Sequence, residues 1–294
     1  MKLLMLVNPL AGRKQGEQVA QQSLDLFRQR GIKVEHQLSE YAGHLTELAE
    51  RQVSGDWDGI VVVGGDGSLF EVINGMMRGN EQLPIPLGVI PVGTGNSFSR
   101  DLAIQNPEQA VEKIIGNRTR RVDLGMCQCE DQLFYFINIL GFGFVSDVAQ
   151  KASYYKRWGS LSYVIGVFII TAELESYHLE FEIDGQTFQR DNIFVEISNS
   201  TKTGGDMLMA PQAKIDDGYL DVVLLNKISR LGLLSALPKI FKGTHLQMKQ
   251  VETFKAQKMV FRPESAKVLT PDGEIIGKTP ISVAVLPGKI RVFD

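Results

Sequence analysis

The chain has 294 residues, 44% of them apolar and 22% charged, with a formal net charge of -3 at pH 7. This length exceeds the usual size of one hydrophobic core and predicts two compact domains with a cleft between them, while the composition excludes a disordered chain. A slightly acidic balance without a dense Lys/Arg run argues against nucleic acid as a partner, and Cys127 and Cys129, two residues apart on one strand face, read as reduced cytosolic thiols rather than a disulfide framework.

The first third alternates short apolar runs with helix-period segments, the pattern of a parallel sheet covered by helices. Lys2–Val7 opens it as a strand, because its apolar part is too short for a signal-peptide core and is stopped at once by Asn8-Pro9. Ala20, Leu24 and Phe27 recur at spacings of four and three, and Gly31 stands where that helix ends. Strand two, Lys33–Leu38, precedes the stripe Leu45, Leu48, Ala49 and Val53. Residues 59–63 then form an apolar run without polar alternation, as a strand buried on both faces requires. Leu69, Val72, Ile73, Met76 and Met77 line the next helix, residues 87–90 give another buried strand, and Ala110, Val111, Ile114 and Ile115 mark the last helix of this part.

Near residues 120–122 the character changes to longer strands and hairpin signals, dividing the chain into domains 1–121 and 122–294. Expected strands are 134–139, 178–183, 193–197, 220–225, 251–255, 259–262 and 281–286, with Asp184-Gly185 as a hairpin turn and helices around 160–176 and 231–242. The longest apolar stretch, 161–172, is interrupted by Ser162, Gly166 and Thr171. It falls short of the roughly 20 residues a spanning helix needs, so the protein is expected not to be integral to a membrane.

Two strand ends of the first part run into glycine turns, Gly64-Gly65-Asp66-Gly67 and Pro91-Val92-Gly93-Thr94-Gly95-Asn96. Backbone N–H groups in such turns approach phosphate oxygens without a Cβ in the way, and each turn opens a helix whose positive end favours an anion. Asp66 is the odd residue in an anion site, since a carboxylate beside phosphate needs something positive or a proton between them. Mg²⁺ or an acceptor hydroxyl is the simplest choice, and a helix-capping turn is the bland alternative. There is no G-x-x-x-x-G-K-[ST] run and no G-x-G-x-x-G near the first strand, which argues against a Walker loop and against a dinucleotide dehydrogenase. The loop from Asn8 to Lys14 adds an amide and two cations at the same rim.

These motifs together resemble the diacylglycerol kinase catalytic-domain family of lipid kinases, which includes sphingosine and ceramide kinases. The resemblance spans essentially the whole chain. It rests on Val7-Asn8-Pro9 with Gly12, Gly64-Gly65-Asp66-Gly67-Ser68 with Glu71-Val72-Ile73-Asn74-Gly75, and Pro91 to Ser97. It continues through Gly141-Phe142-Gly143-Phe144, Tyr155-Lys156-Arg157 to Gly159, Asp216-Asp217-Gly218-Tyr219-Leu220-Asp221, and Asp272-Gly273-Glu274. It implies an α/β amino-terminal domain like those of phosphofructokinases and NAD kinases, a parallel sheet with flanking helices, and a mainly β carboxy-terminal sandwich. ATP and lipid would meet between them.

By the same resemblance the nucleotide contacts are Asn8, Ser39, the segment Gly64, Gly65, Asp66, Gly67, Ser68, Leu69 and Phe70, and Thr94. Ser39 and Ser68 stand where many relatives carry Thr, and both keep a hydroxyl. A Mg²⁺ site is implied at Lys214, Asp217 and Tyr219, an oxygen-rich loop suited to a hard cation. Glu274 is implied as proton acceptor, with Asp272 beside it and Asp66 as runner-up, although Pro271 replaces the apolar residue common before that element. Asp147 aligns with a position that meets the lipid head in sphingosine kinases. Tyr163, Val164, Val167, Phe168 and Ile169 are candidates to line a lipid pocket, with Lys151, Lys156 and Arg157 flanking them to attract anionic headgroups. Transient contact with the inner membrane surface from the cytoplasm follows, and a homodimer stays open. The rival readings are an NAD kinase-like small-molecule kinase and a regulator that binds nucleotide or lipid without catalysis.

Overall fold

In the computed structural model, which describes residues 1–93, 95–130, 132–144, 146–147, 171 and 174–294, the apolar runs of the first third form β1 (Lys2–Val7), β2 (Lys33–Leu38), β3 (Gly59–Gly64) and β4 (Leu87–Pro91). They pair in parallel in the order β2-β1-β3-β4. Leu3 to Val7 and residues 60–63 are almost free of solvent, which is why these runs lack polar alternation. Between the strands run α1 (Gly16–Gln29), α2 (His44–Gln52) and α3 (Asp66–Gly79), and beyond β4 come α4 (Ser97–Asp101) and α5 (Pro107–Ile115).

The chain leaves β1 to one side to make β2, then returns past β1 to make β3. Right-handed crossovers therefore put α1 on one face and α2 and α3 on the other. The expected pairs are in contact, α1 with α5 and α2 with α3. Glu71 on α3 fixes α2 at its start, its carboxylate accepting the N–H groups of Gly43 and Leu45 at 3.0 and 3.2 Å, a negative charge at a helix N-terminus. The change of direction between β1 and β3 makes their carboxyl ends the switch point of the sheet, where open α/β sheets take their ligands.

The remainder is antiparallel: β6 (Gln132–Phe136), β7 (Ile139–Gly143), β8 (Tyr177–Ile183), β9 (Gln186–Ser198), β10 (Leu220–Asn226), β11 (Val251–Ala256), β12 (Lys258–Pro263) and β13 (Leu269–Pro271), with parts of β5 (Thr119–Cys129) and β14 (Ile281–Phe293). The long β9 pairs with β8 over its first half and with β7 and β10 over its second. Phe142, Phe261, Phe181 and Phe254 from different strands form a chain of ring contacts, with successive centroids 5.4, 5.9 and 5.8 Å apart. On another face, α6 (Arg230–Phe241) lays Leu233 and Ile240 on Phe194, Val223 and Leu225. The Asp184-Gly185 hairpin is present, both residues at positive φ and Ile183 opposite Gln186. Cys127 and Cys129 are free and buried, and burial pushes both thiols up, so they are inert.

Two compact units result, Met1–Leu124 with Leu286–Asp294, and Gly125–Val285. The division expected at 121/122 differs from this at both ends. β5 runs unbroken through Leu124 and Gly125, and the last residues return to the first unit, where Val292 pairs in parallel with Leu87 and Lys113 holds Asp294 at 3.0 Å. A shift in composition marks where a sheet style changes, and it cannot reveal a final strand returning to an earlier sheet.

The single strand expected over 134–139 is instead β6 and β7 with a break at Ile137-Asn138, because the backbone N–H groups there turn inward to Asp272. Thr94, most of the helix expected around 160–176, the pocket candidates Tyr163, Val164, Val167, Phe168 and Ile169, and the cations Lys151, Lys156 and Arg157 lie outside the described residues. Among the described residues no helix is long and apolar enough to cross a membrane.

Candidate functional site

At the switch point of the first unit the loops after β1, β3 and β4 lock onto one another through side chains. Asn8 continues β1, its N–H on the Val63 carbonyl at 3.0 Å. Its side chain then does two things: Oδ1 accepts the Leu10 N–H at 3.0 Å, shaping its own loop, and Nδ2 donates to Ser68 Oγ at 2.9 Å, reaching the glycine loop after β3. Gly12, at φ +57°, brings the first loop onto the third, and a Cβ there would lie 2.7 Å from Val92 Cγ1. Ser39 follows β2 with its N–H on the Val7 carbonyl at 2.8 Å, which sets it beside Asn8 on the same rim.

Asp66 closes the ring. It opens α3 without capping it, and instead accepts the Ser97 N–H at the start of α4, at 2.9 Å through Oδ1 and 3.1 Å through Oδ2. The bland expectation of a turn Asp capping the following helix is therefore replaced by a tie between two phosphate-type loops. Gly95 is part of that tie, since a Cβ on it would sit 2.9 Å from Asp66 Oδ2. Burial pushes the Asp66 carboxyl above the usual carboxylate range, opposed by the Ser97 and Phe98 amides, the Ser97 hydroxyl and the charge of Arg100. Close by, Asn96 adopts a left-handed conformation, donates Nδ2 to the Gly93 carbonyl at 2.9 Å and buries an Oδ1 that meets no donor among the described residues.

The N-terminus of α3 leaves backbone donors open at this ring. Its helical ladder begins with Leu69 N–H on Gly65 O, so the amides of Gly67 and Ser68 have no place in it. Leu69 and Phe70, expected among the nucleotide contacts, are buried and turn into the core.

In the second unit, the acidic element is a tight turn whose two carboxylates part company. Asp272 and Gly273 have φ of +48° and +89°, and Glu274 N–H bonds the Pro271 carbonyl at 2.8 Å. Asp272 is buried and accepts the backbone N–H groups of Ile137, Asn138 and Ile139 at 3.0, 2.9 and 3.0 Å. Its own N–H returns to the Ile139 carbonyl at 2.9 Å, and Pro271, lacking an N–H, still pairs opposite Leu140. Glu274 stands exposed on the turn. Asp272 therefore holds the turn to the break between β6 and β7, while Glu274 is presented outward.

The loop with Lys214, Asp217 and Tyr219 is also settled by its own residues. Asp217 Oδ1 accepts the Tyr219 N–H at 3.1 Å, and Oδ2 pairs with Lys255 at 2.5 Å. Asp217 thus already faces one cation, and among the described residues no group of three or more His, Cys, Asp or Glu side chains forms a metal cluster. Asp147 is exposed, and its charge, after burial, helps push up the hydroxyl of Tyr177, which donates to Asn192 at 2.8 Å. Sequence reasoning passed over Glu196, which lies 2% exposed near the end of β9 between Gly141 and Val223. Burial pushes its carboxyl up to about 8. The signal was an acid inside an apolar strand run.

Comparison with known proteins accords with this geometry. Residues 2–127 match the family described as Diacylglycerol kinase catalytic domain, and residues 138–294 match the YegS C-terminal NAD kinase beta sandwich-like domain. The chain is 28% identical over 298 residues to a diacylglycerol kinase of Mycobacterium tuberculosis, covering 99% of this chain and 94% of the relative. It is 28% identical to a diacylglycerol kinase of Bacillus subtilis, covering 94% and 90%, and 28% identical to Sphingosine kinase 1 of Arabidopsis thaliana, covering 93% and 66%. Among solved structures, a Bacillus anthracis protein described as a candidate diacylglycerol kinase superposes with a TM-score of 0.83 at 26% identity, covering 99% of this chain and 94% of that one. An NAD kinase from Archaeoglobus fulgidus shares the fold at a TM-score of 0.55 and 13% identity, covering 100% and 94%.

Proposed function

Since the chain belongs to the diacylglycerol kinase catalytic-domain family and is a lipid kinase, we propose that it transfers the γ-phosphoryl group of ATP to the hydroxyl of a membrane lipid such as diacylglycerol or a sphingoid base. The observation that carries this reading is the ring of loops at the β1/β3 switch point, joined by Asn8–Ser68 and Asp66–Ser97. Amides of Gly67 and Ser68 hydrogen-bond phosphate oxygens at the positive end of α3. Asn8, Ser39 and Thr94 complete the nucleotide contacts. The Asp66 carboxylate and the buried Asn96 Oδ1, which meets no donor among the described residues, offer oxygens of the kind a hard cation takes, and Mg²⁺ carried by the nucleotide would supply charge neutralisation there.

In the transfer, the lipid hydroxyl oxygen bonds to the γ-phosphorus as the bond to the ADP oxygen breaks, and the hydroxyl proton leaves to a carboxylate. Glu274, exposed and outward, takes that proton in this reading, with Asp66 as the alternative. Asp272 acts through the turn it anchors. Asp147 contacts the polar head of the lipid, and Lys214, Asp217 and Tyr219 hold a second Mg²⁺ apart from the nucleotide. The enzyme works from the cytoplasm on the inner membrane surface.

The test is transfer of radiolabel from ATP to a panel of lipids in mixed micelles and, in parallel, to NAD, with wild type and Asp66→Asn side by side. Label in a lipid, lost in the variant, is the expected result. Label in NAD instead would move the chain to the NAD kinases, and lipid-independent nucleotide binding without turnover would make it a regulator.

A further inference from the structure

The helix α6 carries apolar residues on both sides, and among the described residues its buried partners lie on one side. Leu233, Ala236 and Ile240 face the core of the second unit. On the opposite side Leu231, Ser235, Pro238 and Lys242 follow the helical spacing of i, i+4, i+7 and i+11, with Lys239 and Phe241 to either side. Leu231 is 80% exposed and Phe241 58%. They stand about 15 Å apart along the axis. A large apolar side chain thus stands in water near each end of the outer side of this helix.

The charge around that face says what covers it. From Asn226 to Gln250 the chain carries Lys227, Arg230, Lys239, Lys242 and Lys249 and no Asp or Glu, within a protein whose acidic residues outnumber its basic ones 34 to 31. All five cations are exposed. The nearest acid beyond the segment, Glu252, is already held by Arg190 at 2.7 Å. Next to the start of the helix an open hollow of about 660 Å³ is lined by Lys227, Ile228, Ser229, Gly232 and Met248, again without an acid.

Apolar tips on a segment that carries five cations and no carboxylate of its own match the interface of an anionic bilayer, where the tips enter the acyl boundary and the cations meet headgroup phosphates. We propose that the outward face of α6 is a membrane-docking surface for anionic lipid. This rests on the lipid-kinase reading and adds the face by which the enzyme meets the bilayer. Each exposed cation near a charged surface strengthens binding about fivefold, so the set gives peripheral, salt-sensitive attachment.

The experiment sediments the full chain with vesicles of phosphatidylcholine, with and without phosphatidylglycerol. It compares wild type with two double variants, Leu231→Ser with Phe241→Ser, and Lys239→Glu with Lys242→Glu. Wild type should sediment with the anionic vesicles only, and each variant should bind them at least about tenfold more weakly at an unchanged melting temperature. Phosphorylation of vesicle-embedded lipid should fall in parallel, while that of a short-chain lipid dispersed in water stays at the wild-type rate. Unchanged vesicle binding in both variants overturns the proposal. So does a wild-type dimer that the variants dissociate in sedimentation velocity, since the face would then be covered by a second copy. A wild type that phosphorylates no lipid, yet loses vesicle binding through these substitutions, supports the docking face and counts against the kinase reading alone.

Discussion

The carboxylate of Asp66 grips the backbone N–H of Ser97 through both oxygens, at 2.9 and 3.1 Å, so the glycine loop after β3 holds the loop after β4 in place. One residue thus serves both the shape of the loop ring and, in the proposed function, its charge. Asp66→Asn separates the two, because the amide keeps an oxygen acceptor for Ser97 and loses the negative charge. The expected outcome is a melting temperature within a few degrees of wild type and a kcat lower by about a hundredfold or more. Burial raises this carboxyl, so wild-type activity should fall on acidification at a pH above that of an ordinary carboxylate. Near-normal turnover by the variant removes Asp66 from the chemistry.

The acidic turn supplies a contrast between neighbours. Asp272→Ala leaves the N–H groups of Ile137, Asn138 and Ile139 without their acceptor in a buried place, and should destabilise the fold by roughly 2 to 4 kcal/mol in denaturant titration. Glu274→Gln, on an exposed residue, should leave stability unchanged and drop the rate at saturating lipid by about a hundredfold, with ATP affinity kept. If Glu274→Gln instead loses only ATP binding, the base is Asp66.

Glu196 makes stability depend on pH. Its carboxyl is ordinary at 4.5 when unfolded and is raised to about 8 by burial in the fold, so the unfolded chain releases this proton first. Stability should therefore decline as pH rises from about 4.5 towards 8, by at most about 1.4 kcal/mol per unit, and level off beyond. Glu196→Gln should flatten that slope and melt higher than wild type at pH 8. A wild-type profile already flat over this window counts against a neutral buried acid.

Asp217 tests the second Mg²⁺. With Lys255 paired to it at 2.5 Å, wild type should bind divalent cation weakly, and Lys255→Ala should strengthen that binding while Asp217→Ala abolishes it in calorimetry. Equal binding in all three proteins places the cation elsewhere.

Much of the first unit was legible in the sequence. Lys2–Val7 and Lys33–Leu38 begin and end where the periodicity says, and the unalternating run over residues 59–63 became a strand buried on both faces, because a helix-covered parallel sheet leaves no wet side. The glycine turns with Asp66 marked the loops that meet at the carboxyl ends of β3 and β4. These are local facts, written in spacing and residue type.

What only the tertiary structure decided is which distant groups meet. Asp66 meets Ser97 across two loops, Asp272 meets amides far back in the chain and breaks a strand that read as continuous, and Leu286–Asp294 returns to the first unit. Asp272 and Glu274 look equivalent in the sequence and are opposite in the fold, one buried against backbone N–H groups and one in solvent. The physical reason is common to all of them. A carboxylate's role is set by the donors it finds when buried, and those donors come from parts of the chain that composition and periodicity do not connect.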